Sequence, residues 1–253
     1  RKNCFSYQGI CYESVTNIAE KNLKILAIVQ ARMGSTRLPG KVLKKILGKT
    51  VLEHIIERLN YAEKINQIIV ATSTIKENDP IDRLARMKGI SCFRGDEDDV
   101  LNRFYRAALQ YKGDIVVRIT GDCPLVDPFV VDKIIDYHLS HGGDYTSNTI
   151  KRTFPRGIVA EVFTFDVLKR LCQMELDPAY REHVTQYIIH NPENFKINSF
   201  TQEEIPFDTN WRWVLDTQAD YEFIQNIFSQ LYRKGHLFRI EDIFNLISNG
   251  LKE

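Results

Sequence analysis

From Leu23 onward, short runs rich in Ile and Val alternate with amphipathic stretches of helical period. Runs such as Ile68-Ile69-Val70-Ala71 and Ile115-Val116-Val117 have no polar face. As strands they must be covered on both sides, the condition of a parallel sheet between helices. Strands are predicted over 24–30, 67–73, 91–94, 114–120, 145–148, 160–165, 196–200 and 212–215. Between them, apolar residues recur at helical spacing: Val51, Ile55, Ile56 and Leu59, then Val100, Phe104 and Ala108, then Val131, Ile134, Ile135 and His138. Further helices are predicted over 165–174, 180–190, 219–231 and 240–246. Asp98 or Asp99 can cap the second helix, and Asp127-Pro128 suits the start of the third. The alternation specifies an α/β fold, a three-layer α/β/α sandwich around a mainly parallel sheet.

The 253 residues fit one large domain or two small ones. No composition shift marks a linker, so 23–253 is taken as one domain. Residues 1–22 are polar, dotted with aromatics and without period, an appendage to it. A net charge of +1 gives no reason to expect nucleic-acid or membrane-surface binding. No apolar run reaches membrane-spanning length and residues 1–22 lack an apolar leader core, so a cytoplasmic setting is expected. Cys4, Cys11, Cys92, Cys123 and Cys172 are scattered and odd in number, which predicts reduced thiols rather than a metal site.

In such sheets ligands sit at the carboxyl ends of the strands. The first predicted strand runs there into Gln30-Ala31-Arg32-Met33-Gly34-Ser35-Thr36-Arg37-Leu38-Pro39-Gly40-Lys41. No acidic residue lies between Lys21 and Leu52, although the whole chain is nearly neutral. A cationic, glycine-containing loop suits a polyphosphate: amides and hydroxyls donate while Arg and Lys neutralise charge. It is neither a Walker loop nor a dinucleotide loop, and a solvated basic loop is the plainer alternative.

Two acids share that placement. Asp122 follows the run 115–120 in Gly121-Asp122-Cys123-Pro124, where Gly121 leaves room for ligand or backbone. Asp216 follows Trp211-Arg212-Trp213-Val214-Leu215. Either acid can hold a magnesium ion against phosphate oxygens. Equally, Asp122 can satisfy turn amides, and Asp216 or Thr217 can cap the next helix. Two carboxylates facing a cationic loop point to metal-assisted phosphoryl or nucleotidyl transfer.

These residues together resemble the sugar cytidylyltransferases, including the synthetases of CMP-activated Kdo and nonulosonic acids. The nearest branch is that of spore-coat polysaccharide biosynthesis. The resemblance rests on Gln30-Ala31-Arg32-x-x-Ser35-x-Arg37-Leu38-Pro39-Gly40-Lys41, Gly121-Asp122-x-Pro124-Leu125 and Asp216-Thr217. It extends to Phe93-Arg94-Gly95-x-Glu97-Asp98-Asp99-Val100-Leu101, Pro155-Arg156-Gly157, Glu161-Val162-Phe163 and Arg181-Glu182-His183-Val184-Thr185, spanning about 23–245.

The resemblance implies a nucleotide-diphosphosugar transferase (GT-A-like) fold. It implies CTP and an acidic sugar as substrates, Mg²⁺ as cofactor, a homodimer, and release of a CMP-sugar and pyrophosphate. It assigns Ala31, Arg32, Gly34, Ser35, Arg37, Lys41, Thr120 and Gly121 to the nucleotide. Asp122 and Asp216 are its metal acids, catalytic together with Arg32 and Lys41. Arg156, Glu161, Arg181 and His183 fall where the acceptor would be met, and Glu97 and Asp98 open the helix under the nucleotide. Two positions depart from the pattern: Thr120 stands where Kdo synthetases have Gln, and Val159 where the branch has Asp.

Two other functions fit parts of the sequence. A glycosyltransferase of related fold would use a ready-made nucleotide sugar, but the Asp-x-Asp spacing common there is absent around Asp122 and Asp216. A non-catalytic nucleotide-binding module would tolerate Thr120 and Val159, yet not require both acids intact.

Overall fold

The computed structural model describes residues 23–250. The segment 1–22, with Cys4 and Cys11, lies outside the described residues. Nine strands and nine α-helices follow in the order β1 (Ile25–Gln30), β2 (Lys45–Ile46), β3 (Lys49–Thr50), α1 (Val51–Leu59), β4 (Gln67–Ser73), α2 (Asp79–Met87), β5 (Ser91–Gly95), α3 (Val100–Gln110), β6 (Ile115–Thr120), α4 (Pro128–His141), β7 (Tyr145–Ser147), β8 (Glu161–Thr164), α5 (Phe165–Gln173), α6 (Pro178–Glu182), α7 (Gln186–His190), β9 (Ile197–Ser199), α8 (Gln218–Leu231) and α9 (Ile240–Ser248) among the described residues.

Seven strands form one sheet in the order β5-β4-β1-β6-β8-β7-β9, and β2 and β3 make a separate hairpin. β5, β4, β1 and β6 are mutually parallel. β8 runs against both β6 and β7. The sheet is therefore mainly parallel with one reversed strand. Its inner strands divide their side chains between two cores, as period-two geometry requires. Ile25, Ala27 and Val29 join one core with α1, α2, α4, α8 and α9. Leu26 and Ile28 join the other with α3, α5 and α7. Helices thus cover both faces, giving the three layers expected.

The helix starts follow local chemistry. Thr50 and Glu53 form a reciprocal capping box on α1. Asp99, rather than Asp98, caps α3 by accepting from the Asn102 N–H at 3.0 Å. Asp127 accepts from the amides of Phe129 and Val130 to start α4, with Pro128 in its first turn.

Beyond the unpredicted β2–β3 hairpin, three further elements depart from the sequence-based expectation. The stretch 212–215 is not a sheet strand. Its apolar alternation reflects burial of Trp213 and Leu215, but its backbone pairs with the 155–157 loop through an isolated bridge between Arg156 and Arg212. The helix expected over 180–190 breaks into α6 and α7 around His183, whose φ and ψ are −106° and 82°. And α2, unpredicted, packs Ile81, Leu84 and Ala85 into the first core.

Candidate active site

The chain passes from β1 to β4 and β5 on one side, then returns to β6 on the other. This change of direction leaves a crevice beyond the carboxyl ends of β1 and β6. A cavity of about 480 Å³ lies there, lined by Gln30, Arg32, Gly34, Ser35, Thr36, Arg37, Lys41, Val42, Arg118, Thr120, Gly121, Asp122 and Asp216.

The basic loop is held by its backbone. The Ala31 N–H donates to the Ala71 carbonyl at 3.1 Å and the Gly40 N–H to the Met33 carbonyl at 3.1 Å. The Met33 N–H donates to Asn78 Oδ1 at 2.7 Å. Ser35 Oγ accepts from the Leu38 N–H at 3.4 Å. A 3₁₀ turn, Lys41–Leu43, then directs Lys41 inward. The facing loop begins where the Gly121 N–H donates to the Gln30 carbonyl at 2.8 Å. A Cβ at Gly121 would lie 2.7 Å from that carbonyl oxygen. The room this glycine leaves is therefore taken by backbone, not by ligand.

The two acids come together at this edge although the sequence separates them widely. The Leu215 N–H donates to the Asp122 carbonyl at 2.8 Å, tying their backbones. Lys41 Nζ donates to Asp122 Oδ2 at 2.7 Å and to Asp216 Oδ1 at 2.9 Å. Arg37 also binds Asp216, and Arg212 lies 3.9 Å from it. The choice between Asp216 and Thr217 as helix cap is resolved: Thr217 and Asp220 make the capping box of α8, leaving the Asp216 carboxylate to the cavity.

Burial alone would lower the Lys41 ammonium, but Asp122, then Asp216, outweigh it and hold it above its ordinary value. Burial alone would raise Asp216, but its bonds and attraction to Lys41, with Arg37 and Arg212, hold it below the ordinary carboxylate range. One ammonium therefore sits where two carboxylates converge, a place that chemistry suits to a cation. Among the described residues no group of three or more His, Cys, Asp or Glu could hold a metal. Two carboxylates fit a magnesium ion that keeps its remaining positions for water and phosphate oxygens.

Beneath the loop lies a second charged group. Arg118 is on β6, opposite Ile28 in register, and faces the second core with Gln30. Its guanidinium binds Glu161 and donates to Gln30 Oε1 at 3.3 Å. Glu161 also accepts from Tyr145 Oη and Thr185 Oγ1, each at 2.6 Å. Burial would raise Glu161, yet Arg118 and these hydroxyls hold it below its usual range. Gln30 and Arg118 were not singled out from sequence as site residues. The available signal was a lone arginine inside an otherwise apolar strand.

Of the nucleotide residues expected, Arg32, Gly34, Ser35, Arg37, Lys41, Thr120 and Gly121 line the cavity, as do Asp122 and Asp216. Ala31 is buried beneath it. The four acceptor-side residues lie outside the lining. Glu161 is 5 % exposed and reaches the cavity only through Arg118. Arg156 is exposed and contributes its backbone to the 211–213 segment. Arg181 binds Asp99 at 2.8 Å in a separate depression of about 600 Å³ that also holds Asp96, Asp98 and Glu182. His183 is an exposed C-terminal cap of α6. Glu97 does not open α3. It lies 3.8 Å from Arg32, which is also 3.6 Å from Glu182.

Comparison with known proteins bears on this arrangement. The family model described as "Cytidylyltransferase" matches residues 26–243. The chain belongs to the cytidylyltransferase family. It is 34 % identical to the spore coat polysaccharide biosynthesis protein SpsF of Bacillus subtilis over 211 residues, 81 % of this chain and 87 % of that protein. It is 35 % identical to a 3-deoxy-manno-octulosonate cytidylyltransferase of Solibacter usitatus over 218 residues, 85 % of this chain and 73 % of that one. The structure of a cytidylyltransferase from Leptospira borgpetersenii superposes with a TM-score of 0.84 at 35 % identity, covering 90 % of this chain and 94 % of that one. The mainly parallel α/β sheet is thus the family's fold, and the chain is a nucleotidyltransferase by family and architecture. No helix among the described residues is long and apolar enough to cross a membrane.

Proposed function

We propose that the protein activates an acidic sugar with CTP, giving a CMP-sugar and pyrophosphate for surface polysaccharide synthesis. The observation that carries this reading is Lys41 bridging Asp122 and Asp216 in a cavity also lined by Arg32 and Arg37. Loop amides and the Ser35 hydroxyl would donate to the triphosphate, and Arg32, Arg37 and Lys41 would balance its β and γ charge. Asp122 and Asp216 would hold Mg²⁺. When bound, the ion neutralises phosphate charge and aligns the leaving group.

The acceptor's anomeric hydroxyl oxygen forms the new bond to the α-phosphorus as the bond to the β-phosphate breaks; the electron pair of that bond leaves on pyrophosphate and the hydroxyl proton passes to water. Catalysis here is mostly positioning and electrostatics, with no covalent enzyme intermediate. The depression around Asp96, Asp98 and Asp99 would repel a carboxylate, so the reading seats an acidic acceptor in the cationic cavity, beside Arg118. The SpsF and octulosonate relatives support the sugar class by similarity.

Incubation with CTP, Mg²⁺ and a panel of keto-acid sugars tests this. Pyrophosphate is expected only when CTP and an acceptor are both present. CTP binding without pyrophosphate on any acceptor would overturn the catalytic reading.

A further inference from the structure

Asn78 is fully buried at the end of the 3₁₀ turn Lys76–Asn78, between β4 and α2. A buried amide is costly unless its donors and acceptor are used. Here each is used next to the basic loop. Oδ1 accepts from the Met33 N–H at 2.7 Å. Nδ2 donates to Ser73 Oγ at 2.6 Å and to Glu97 Oε2 at 3.1 Å. The other oxygen of Glu97 faces the Arg32 guanidinium at 3.8 Å. One side chain therefore holds the backbone just after Arg32 and also the carboxylate that meets the far end of Arg32.

This double contact needs a carboxamide. Aspartate has the same shape and would keep the bond from Met33, but it has no donors and would place a second negative charge beside Glu97. An apolar residue would leave the Met33 amide, the Ser73 hydroxyl and the Glu97 carboxylate short of partners.

We infer that Asn78 is the positioning residue of Arg32: it fixes both the backbone and the counter-charge of that arginine, so the guanidinium is presented to the triphosphate in one place. The inference rests on the reading of Arg32 as a triphosphate contact.

Calorimetric titration of CTP and CMP into the wild-type chain, Asn78→Asp, Arg32→Ala and the double variant tests it. Melting curves check that each variant is folded. Arg32→Ala is expected to weaken CTP by about tenfold or more, the loss of a well-placed charge-assisted contact. CMP, lacking the β and γ phosphates, should change little. Asn78→Asp should show the same CTP-only loss of about tenfold, and the double variant should be no weaker than Arg32→Ala alone, because coupled residues are not additive. If Asn78→Asp binds CTP as wild type, weakens CTP and CMP equally, or multiplies with Arg32→Ala, the inference fails. If Arg32→Ala itself binds CTP normally, the underlying reading of Arg32 fails instead. Should Asn78→Asp not fold, Glu97→Gln interrupts the same relay while keeping the bond from Asn78. It should reproduce the CTP-only, non-additive loss, and wild-type CTP affinity in that variant would overturn the inference.

Discussion

Glu161 and Asp122 are both carboxylates near the ends of sheet strands, and their surroundings are opposite. Glu161 is buried and saturated by Arg118, Tyr145 and Thr185, whereas Asp122 opens to the cavity. Removing one partner of a buried pair leaves an uncompensated charge, which costs roughly 3–5 kcal/mol. Glu161→Gln should therefore lower stability by about 3 kcal/mol in urea denaturation, the low end because Arg118 also faces the cavity. Unchanged stability with a raised KM for the acceptor would return Glu161 to direct substrate contact. For Asp122→Asn the expectation reverses: turnover falls on the order of 10²–10³, the scale of a lost electrostatic contact, while the melting temperature holds. Near-normal pyrophosphate release by that variant would remove Asp122 from the proposed metal role.

At the scale of elements, the segment carrying Asp216 depends on a loop rather than on the sheet. The Arg156 N–H donates to the Trp211 carbonyl at 2.9 Å, and the Trp213 N–H to the Arg156 carbonyl at 2.7 Å. Gly157, at φ 105°, lies against this segment, and a Cβ there would sit 2.4 Å from the Trp213 carbonyl oxygen. Gly157→Ala should destabilise by about 1–3 kcal/mol, the usual cost of such strain. It should reduce turnover further by shifting Asp216. Full activity in a destabilised variant would show that this loop does not place the acid. The packing of α4 on β7 makes a second, pH-dependent prediction. Burial pushes His138 down to about 4, and its Nδ1 lies 2.8 Å from Thr146 Oγ1. A helix C-terminus favours a charged imidazole by only about 0.3–1 kcal/mol at most sites, so burial wins. The unfolded chain then takes up a proton between the ordinary value of 6.5 and about 4 that the folded chain refuses. Stability is full above that range and falls as pH drops through it, by on the order of 3 kcal/mol. Glu53, lowered to about 2 from 4.5, acts mainly below that window. His54 is likewise held below its ordinary value by burial, so His138→Gln should lessen, rather than abolish, the fall of the urea midpoint between pH 6.5 and 4; an unchanged slope would assign the effect elsewhere.

At the scale of the whole molecule, a ligand that binds only the folded chain raises its stability by mass action. CTP with Mg²⁺ at a hundredfold excess over Kd should add about 2.7 kcal/mol. Thermal shifts with the four nucleoside triphosphates should single out CTP, and equal responses would remove the base assignment. The same scale separates what could be read in the chain from what could not. The strands β1, β4, β5 and β6, the cap at Asp127, and the cationic loop were legible because each is set by residues within a few positions of one another. Period-two and period-3.6 burial and side-chain capping are local rules. The reversal of β8, the loss of 212–215 from the sheet and the Arg118–Glu161 pair were not, since strand pairing and burial of charge depend on which distant segments become neighbours. The sequence by itself determined a layered α/β chain with a phosphate-suited loop and two acids at strand or segment ends. Only the tertiary structure decided that Lys41 would meet Asp122 across 81 residues and Asp216 across 175, because a charge finds its partner through space and not along the backbone.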